Sequence, residues 1–98
     1  MTIEKTENGS SVILKLAGRL DTTTAPELEK ELEGLGDASE LTLDFENLEY
    51  LSSAGLRVLL MAHKKMNARG GTFKVTRANS TIMEIFEITG FADILTIE

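Results

Sequence analysis

The sequence predicts a small α/β fold in which a mixed, mostly parallel β-sheet of four to five strands carries its α-helices mainly on one face. Stretches with apolar residues at every second position alternate with stretches in which apolar residues recur every three or four positions. The pair Asn8-Gly9 lies between the first two strand-like stretches and is typical of a β-hairpin. Each helical stretch has one apolar stripe, so each helix has one face to bury.

Two strands, predicted over residues 2–7 and 11–17, form the opening hairpin. In the second strand, aliphatic residues occupy alternate positions from Val12 to Leu16, although Ile13 lies among the polar positions between them. This pattern predicts an inner strand with one face clearly buried.

The first helix is predicted from about Ala25 to Leu35. Pro26 lies near its start, where a residue without an N–H group is tolerated. One helical face collects the apolar residues Ala25, Leu28, Leu32 and Leu35. The opposite face carries four glutamates between positions 27 and 33, which is typical of a solvated surface and, alternatively, of a binding surface.

The remaining strands and helices are predicted from the same two spacings of apolar residues, every second position for strands and every three or four positions for helices. A third strand runs through Leu41, Leu43 and Phe45. After a short loop, a long second helix runs from near Ser53 to about Ala68, before Gly70-Gly71. The remaining elements are a strand through Phe73 and Val75, a third helix with Ile82, Ile85 and Phe86, and a short closing strand over Ile94–Ile97. Helices between strands require crossover connections, which make the neighbouring strands parallel.

Composition limits the class of protein. With 98 residues, 42% of them hydrophobic and 27% charged, the chain has the size of one globular domain, expected over residues 1–98. The absence of cysteine excludes disulfide and thiolate chemistry. No stretch has the apolar length of a signal peptide or a membrane span, so we expect a cytoplasmic protein without membrane insertion. A net charge of −6 argues against binding nucleic acid or anionic membranes.

The sequence contains no pattern typical of an enzyme, metal or cofactor site. It has no histidine cluster, no metal-binding carboxylate loop and no glycine-rich phosphate motif. The single histidine, His63, follows Ser53 by ten residues, which is about 15 Å along a helix. Leu51 also stands where a hydrolase nucleophile turn has its first glycine. We therefore expect a non-enzymatic protein that acts by binding and needs no cofactor.

Ser52 and Ser53 stand together where the second helix begins. The first N–H groups of a helix lack intrahelical partners, so one of these serines is expected to accept from them as an N-cap. The same N–H groups and the helix dipole also favour a phosphate, which would add about −1.5 to −2 charges to the surface. The pair therefore predicts either a purely structural cap or a phosphorylation switch.

An outer stripe of the second helix is a candidate docking face beside Ser53. Ala54, Arg57, Met61 and Lys64 or Lys65 recur three or four positions apart. A flexible methionine among cations is typical of a docking patch, and a partly covered methionine is the alternative. Tyr50, just before the serine pair, is expected to pack under the loop.

Three motifs and the order of the elements resemble one family. The motifs are Gly18-Arg19-Leu20-Asp21 after the second strand, Asp44-Phe45 on the third, and Leu51-Ser52-Ser53-Ala54-Gly55-Leu56 at the start of the long helix. Over essentially the whole chain these features resemble the STAS domains, and among them the free-standing bacterial anti-sigma factor antagonists.

The resemblance implies a switch in protein binding. A partner anti-sigma factor that is also a serine kinase would phosphorylate Ser53, and a Ser/Thr phosphatase would be a further partner. The unphosphorylated form would capture the anti-sigma factor and so regulate transcription that depends on the sigma factor. The best-known members carry Asp before the phosphorylated serine, so Ser52 is a departure and a rival acceptor.

The resemblance also implies that Asp21 lies near the switch serine and contacts the partner, whereas local spacing equally predicts a cap for the threonine turn that follows. The predicted partner-binding residues are Asp21, Thr22, Ser52, Ala54, Arg57, Met61 and Lys64. We expect a monomer or a weak dimer. The alternative function is that of a non-catalytic STAS subunit or sensor module in a transporter or signalling complex.

Overall fold

A computed structural model describes residues 1–98 as a five-stranded sheet, three α-helices and one 3₁₀ turn. In chain order the elements are β1 (Thr2–Asn8), β2 (Ser11–Leu20), α1 (Ala25–Glu33), β3 (Glu40–Leu51), α2 (Ser53–Ala68), β4 (Thr72–Thr76), α3 (Ser80–Thr89), the 3₁₀ turn (Phe91–Asp93) and β5 (Thr96–Ile97). The predicted α/β fold is confirmed. None of its helices has the length and hydropathy needed to cross a bilayer.

The strands lie across the sheet in chain order, from β1 at one edge to β5 at the other. β1 and β2 pair antiparallel with Asn8 opposite Ser11, and Gly9 has the positive φ, 63°, that a tight hairpin turn requires. The other three pairs are parallel, and each crosses over through a helix. The predicted mixed, mostly parallel sheet is therefore confirmed with five strands.

The hydrophobic core lies between one face of the sheet and the helices. Leu14 and Leu16 of β2 are fully buried, whereas the neighbouring Ile13 points to the other face and is 42% exposed. Phe45 of β3 and Phe86 of α3 are also fully buried, with ring centroids 6.4 Å apart. This contact holds α3 on the same face as α1 and α2, and it leaves the opposite face of the sheet free of helices.

The first helix and the closing strand are shorter than predicted. α1 ends at Glu33 instead of Leu35, because Gly34 caps the helix, and Leu35 is buried after the chain has left it. The closing strand holds only Thr96–Ile97, because the backbone just before it still donates hydrogen bonds to Phe91 in the 3₁₀ turn.

β2 and β3 run further than the sequence pattern predicts, and this extension positions the serine pair. β2 continues past residue 17 to Leu20, and β3 continues past Phe45 to Leu51. Two register shifts between the strands bring Leu20 opposite Leu51 at their carboxyl ends. The loop after β2 and the start of α2 therefore begin side by side.

Candidate phosphorylation site and docking surface

The two serines at the start of α2 have different environments. Ser52 is the N-cap, with φ −98° and ψ 176°, and its Oγ accepts the N–H of Gly55 at 3.4 Å. Ser53 is the first helical residue, is exposed, and makes no side-chain hydrogen bond to the protein. The hydroxyl of Ser52 therefore forms an intramolecular hydrogen bond, whereas the hydroxyl of Ser53 is free at the surface.

The first turn of α2 keeps two free backbone donors. The N–H groups of Ser53 and Ala54 donate to no protein acceptor, whereas the N–H of Gly55 donates to Ser52. Free N–H groups at a helix start carry the partial positive charge of the helix dipole. The backbone itself would therefore stabilise an anion attached to Ser53.

Gly55 brings the start of α2 against the end of β2. A Cβ atom at this position would lie 2.6 Å from Cδ1 of Leu51, 2.8 Å from Cγ of Leu20 and 3.1 Å from the carbonyl oxygen of Leu20. The same carbonyl accepts the N–H of Ser52 at 3.0 Å. Gly55 positions the site without carrying any chemistry, and sequence reasoning used it only as part of a motif.

The turn after β2 is organised by Asp21. Its Oδ1 accepts the N–H and hydroxyl of Thr23 at 3.1 and 2.8 Å, and the N–H of Thr24 at 3.2 Å. The hydrogen bond from the Thr23 hydroxyl is the main reason that the pKa of Asp21 lies below its usual range. The predicted cap of the threonine turn is confirmed, and partner contact by Asp21 and by the exposed Thr22 stays a prediction.

Four exposed residues form a stripe along α2, which we call the docking stripe: Ser53, Arg57, Met61 and Lys64. Met61 is 45% exposed, so the fold covers it only in part and a large apolar surface stays open to solvent. Arg57 and Lys64 take part in none of the six ion pairs of the protein. Lys65 is half-buried, as is Ala54, which lies at the border of the stripe and not at its centre.

Tyr50 does not pack under the loop before α2, so that prediction is wrong. It lies on the helix-free face, because the next residue, Leu51, points into the core and successive strand residues point in opposite directions. Tyr50 is 38% exposed, and the guanidinium of Arg19 lies 4.2 Å from the centroid of its ring. Arg19 also pairs with Asp21 at 3.7 Å, so this cation is already engaged.

Asp44 is held by an arginine for which the sequence offered no signal. Asp44 is only 7% exposed, and Arg77 donates from Nε to its Oδ1 at 3.1 Å and pairs with its Oδ2 through Nη2. Arg77 also pairs with Glu46 at 2.7 Å, and its φ of 58° is uncommon for a residue other than glycine. The Arg77 guanidinium holds the pKa of Asp44 below its usual range. The cluster ties β3 to the segment after β4, which is a structural role.

His63 lies towards the other end of α2, away from the serine pair. It is half-buried and, with Phe73 and Glu98, lines a cleft of about 410 Å³ beside the edge of β4. No three His, Cys, Asp or Glu side chains are grouped so that they could hold a metal ion.

A mixed five-stranded sheet with helices on one face, and a capped serine pair where β3 leads into α2, together define a STAS-type α/β domain. The family model described as Mlab, STAS domain matches residues 3–96. The chain therefore belongs to the STAS domain family.

Several relatives match nearly the whole chain. The anti-sigma-B factor antagonist of Bacillus subtilis is 26% identical over 98 residues, which is 99% of this chain and 90% of the relative. BtrV of Bordetella bronchiseptica, provisionally named an anti-sigma factor antagonist, is 33% identical over 99 residues, which is 99% of this chain and 84% of BtrV. No catalytic family is found among these relatives.

Solved structures support the same fold. A protein of Thermotoga maritima superposes with a TM-score of 0.91 at 19% identity, over 97% of this chain and 84% of that one. SpoIIAA superposes with TM-scores of 0.79 in its unphosphorylated form and 0.78 in its phosphorylated form, each at 17% identity over 99% of this chain, and over 87% and 91% of SpoIIAA. A sulfate transporter family protein of Wolinella succinogenes has a TM-score of 0.80 at 15% identity, over 93% of this chain and 75% of that one. At these identities the likeness establishes the fold alone.

Proposed function

We propose that this protein is an anti-sigma factor antagonist that is switched by phosphorylation of Ser53. Unphosphorylated, it binds an anti-sigma factor of the serine kinase type and so regulates transcription that depends on the sigma factor. Phosphate on Ser53 releases the partner, and a Ser/Thr phosphatase restores binding. The observation that carries the proposal is the free, exposed hydroxyl of Ser53 in the first turn of α2, next to a stripe of unpaired cations and an exposed methionine.

The different environments of the two serines favour Ser53 over Ser52 as the acceptor. The hydroxyl of Ser52 is half-buried and accepts the N–H of Gly55, so it is less accessible to a kinase than the exposed hydroxyl of Ser53. The hydroxyl of Ser53 has no such role, and the free N–H groups beside it would stabilise the added charge. Phosphorylation of Ser53 is therefore compatible with the intact fold.

The docking stripe supports the direction of the switch. The protein has a net charge of −6, but Arg57 and Lys64 are unpaired cations on its surface. The electrostatic attraction of a partner to this stripe therefore comes from these two side chains and not from the net charge of the protein. A phosphate of about −1.5 to −2 charges at the end of the stripe would cancel this local attraction. Release of the partner is the expected result.

The names of the relatives and the existence of a phosphorylated form of SpoIIAA support the same proposal. The remaining parts of the proposal are a cytoplasmic location, no direct contact with nucleic acid, one domain over residues 1–98, and a monomeric or weakly dimeric state. Asp21, Thr22, Ser52 and Ala54 would border the bound partner, because they surround the start of α2.

The test combines phosphorylation and binding. Candidate anti-sigma kinases from the same genome are incubated with the protein and ATP, and the phosphate is mapped by mass spectrometry. We expect phosphate in wild type and in Ser52→Ala but none in Ser53→Ala, and we expect Ser53→Ala to bind the kinase and Ser53→Asp not to bind. Phosphate on Ser52, or equal binding of the Ser53 variants, would contradict the proposal.

A second candidate function is a non-catalytic subunit or sensor in a transporter or signalling complex. The fold likeness to the sulfate transporter family protein of Wolinella succinogenes favours it. In that case none of the anti-sigma kinases would bind, and the protein would co-purify with a transporter component encoded in the same gene neighbourhood.

A further inference from the structure

We propose that Arg57 acts as the responder to phosphorylation: it pairs with a carboxylate of the partner when Ser53 is unmodified, and with the phosphate on Ser53 when it is present. The inference rests on the proposed function and adds a mechanism to it. Phosphate would then weaken binding in two ways, because it repels the acidic partner and also withdraws the arginine that attracts it.

The first argument is the spacing of the two residues on α2. Ser53 and Arg57 are four residues apart on one helix, so their side chains lie one above the other on the same face, with Cβ atoms about 5–6 Å apart. Both are exposed, so neither side chain is held elsewhere by packing. A long arginine side chain can therefore reach phosphate oxygens on Ser53, and a guanidinium can bind them with two parallel hydrogen bonds.

The second argument is that Arg57 has no partner in the unmodified protein. It forms no ion pair and no side-chain hydrogen bond, whereas Arg19 is stacked on Tyr50 and Arg77 is held by Asp44. Lys64 is seven residues beyond Arg57, about 10 Å further along the helix, and is out of reach of a phosphate at the first turn. Arg57 is therefore the free cation of the docking stripe nearest to Ser53.

The same surface defines the chemistry of the partner. Arg57 and Lys64 flank Met61, so the complementary surface would carry carboxylates on either side of an apolar depression. A basic partner surface is disfavoured, because it would be repelled by the two unpaired cations.

The direct test needs no kinase. Phosphoserine is incorporated at position 53 during translation, and its ³¹P resonance is titrated in an otherwise wild-type chain, in Arg57→Gln, and in Lys64→Gln as the matched control. If Arg57 pairs with the phosphate, the dianion is favoured, and the titration midpoint lies lower than in Arg57→Gln by about 0.3 pH units or more. Lys64→Gln should titrate like the wild-type chain. Equal midpoints in the wild-type chain and Arg57→Gln would overturn the inference.

A binding measurement with the anti-sigma partner tests the other part of the proposal, which is that Arg57 pairs with a carboxylate of the partner. Without phosphate, Arg57→Gln should weaken binding several-fold, and Arg57→Lys, which keeps the charge, should restore most of it. The factor by which phosphate on Ser53 lowers the affinity for the partner should be smaller in Arg57→Gln than in wild type. An equal factor in the two proteins would contradict the inference. If no kinase modifies Ser53, the proposed function fails, but the ³¹P titration still decides whether Arg57 binds the phosphate.

Discussion

The carbonyl oxygen of Leu20 lies 3.1 Å from the position that a Cβ atom of residue 55 would occupy, so Leu20 and Gly55 are in direct backbone contact. Leu20 ends β2, and Gly55 lies in the first turn of α2. The same carbonyl binds the N–H of Ser52. This contact fixes the position of the candidate phosphorylation site relative to the turn that carries Asp21.

Replacement of Gly55 by alanine should move or destabilise the start of α2. The added methyl group would overlap the side chains of Leu20 and Leu51, and overpacking of this kind costs about 1–3 kcal/mol. The free energy of unfolding from urea titration measures the loss. Gly34→Ala is the matched control, because a Cβ there would have no contact closer than 3.6 Å, and it should leave stability unchanged or slightly raised. An equal effect of the two alanines would contradict the prediction.

Ser52 should contribute to stability as an N-cap. Ser52→Ala removes the acceptor for the N–H of Gly55 and should cost about 0.5–1 kcal/mol, at the lower end for such caps because the bond is 3.4 Å long. Ser52→Asp should preserve the cap, because a carboxylate accepts the same N–H. Thermal unfolding compares these variants with Ser80→Ala, an exposed first residue of α3 whose cap is Asn79. A neutral Ser52→Ala would exclude the capping role.

The Asp44–Arg77 pair should stabilise the fold above about pH 4. Arg77 lowers the pKa of Asp44, so the folded state holds the charged carboxylate more strongly than the unfolded chain does. The resulting stability is complete above the unfolded pKa and is lost as the pH falls through the folded pKa. Arg77→Gln should therefore cost about 1–2 kcal/mol at pH 7, because it leaves a buried carboxylate unpaired, and progressively less as the pH falls below about 4.

Chemical unfolding at several pH values measures this difference. Lys74→Gln is the control, because the Lys74–Glu98 pair at 3.2 Å is largely exposed and should contribute about 0–1 kcal/mol. If the stability loss of Arg77→Gln did not depend on pH below about 4, the ion pair would not be its cause.

Met61→Asp should abolish partner binding without unfolding the protein. The side chain is 45% exposed, so aspartate is tolerated in the free protein, but in a complex it would bury an unpaired charge. We expect at least a tenfold loss of affinity by calorimetry and an unchanged circular dichroism spectrum. Ile88→Asp, at a 76% exposed position on α3 outside the docking stripe, should bind normally. Unaltered affinity of Met61→Asp would remove Met61 from the docking surface.

The sequence predicts the fold well because its signals are local. The Asn8-Gly9 turn, the alternation in β2 and the apolar stripe of α2 each depend on a few neighbouring residues, and all three are present in the structure. The ends of elements were less predictable. β3 continues to Leu51 through two register shifts, and such irregular pairing depends on the partner strand, not on the period of the strand itself.

The candidate site shows the same division between local and non-local signals. The position of the serines at a helix start is local and was predictable, and so was the exposed stripe of α2. The hydrogen bond from the N–H of Ser52 to Leu20, the contact of Gly55 with Leu20, and the pairing of Arg77 with Asp44 join distant segments. Tyr50 was misplaced because β3 was predicted to end before it, so the alternation of the strand was not applied to it.

The chain passes from β3 at Leu51 to α2 at Ser53 with a single residue between them, and that residue bonds to both β2 and α2. These hydrogen bonds hold the junction to both neighbouring elements, so it contains no free linker for a modification to bend. Under the proposed function, the signal is a change in surface charge, so no backbone rearrangement would separate modification from release. The response time of the switch would then depend on the kinase, the phosphatase and the dissociation rate of the partner.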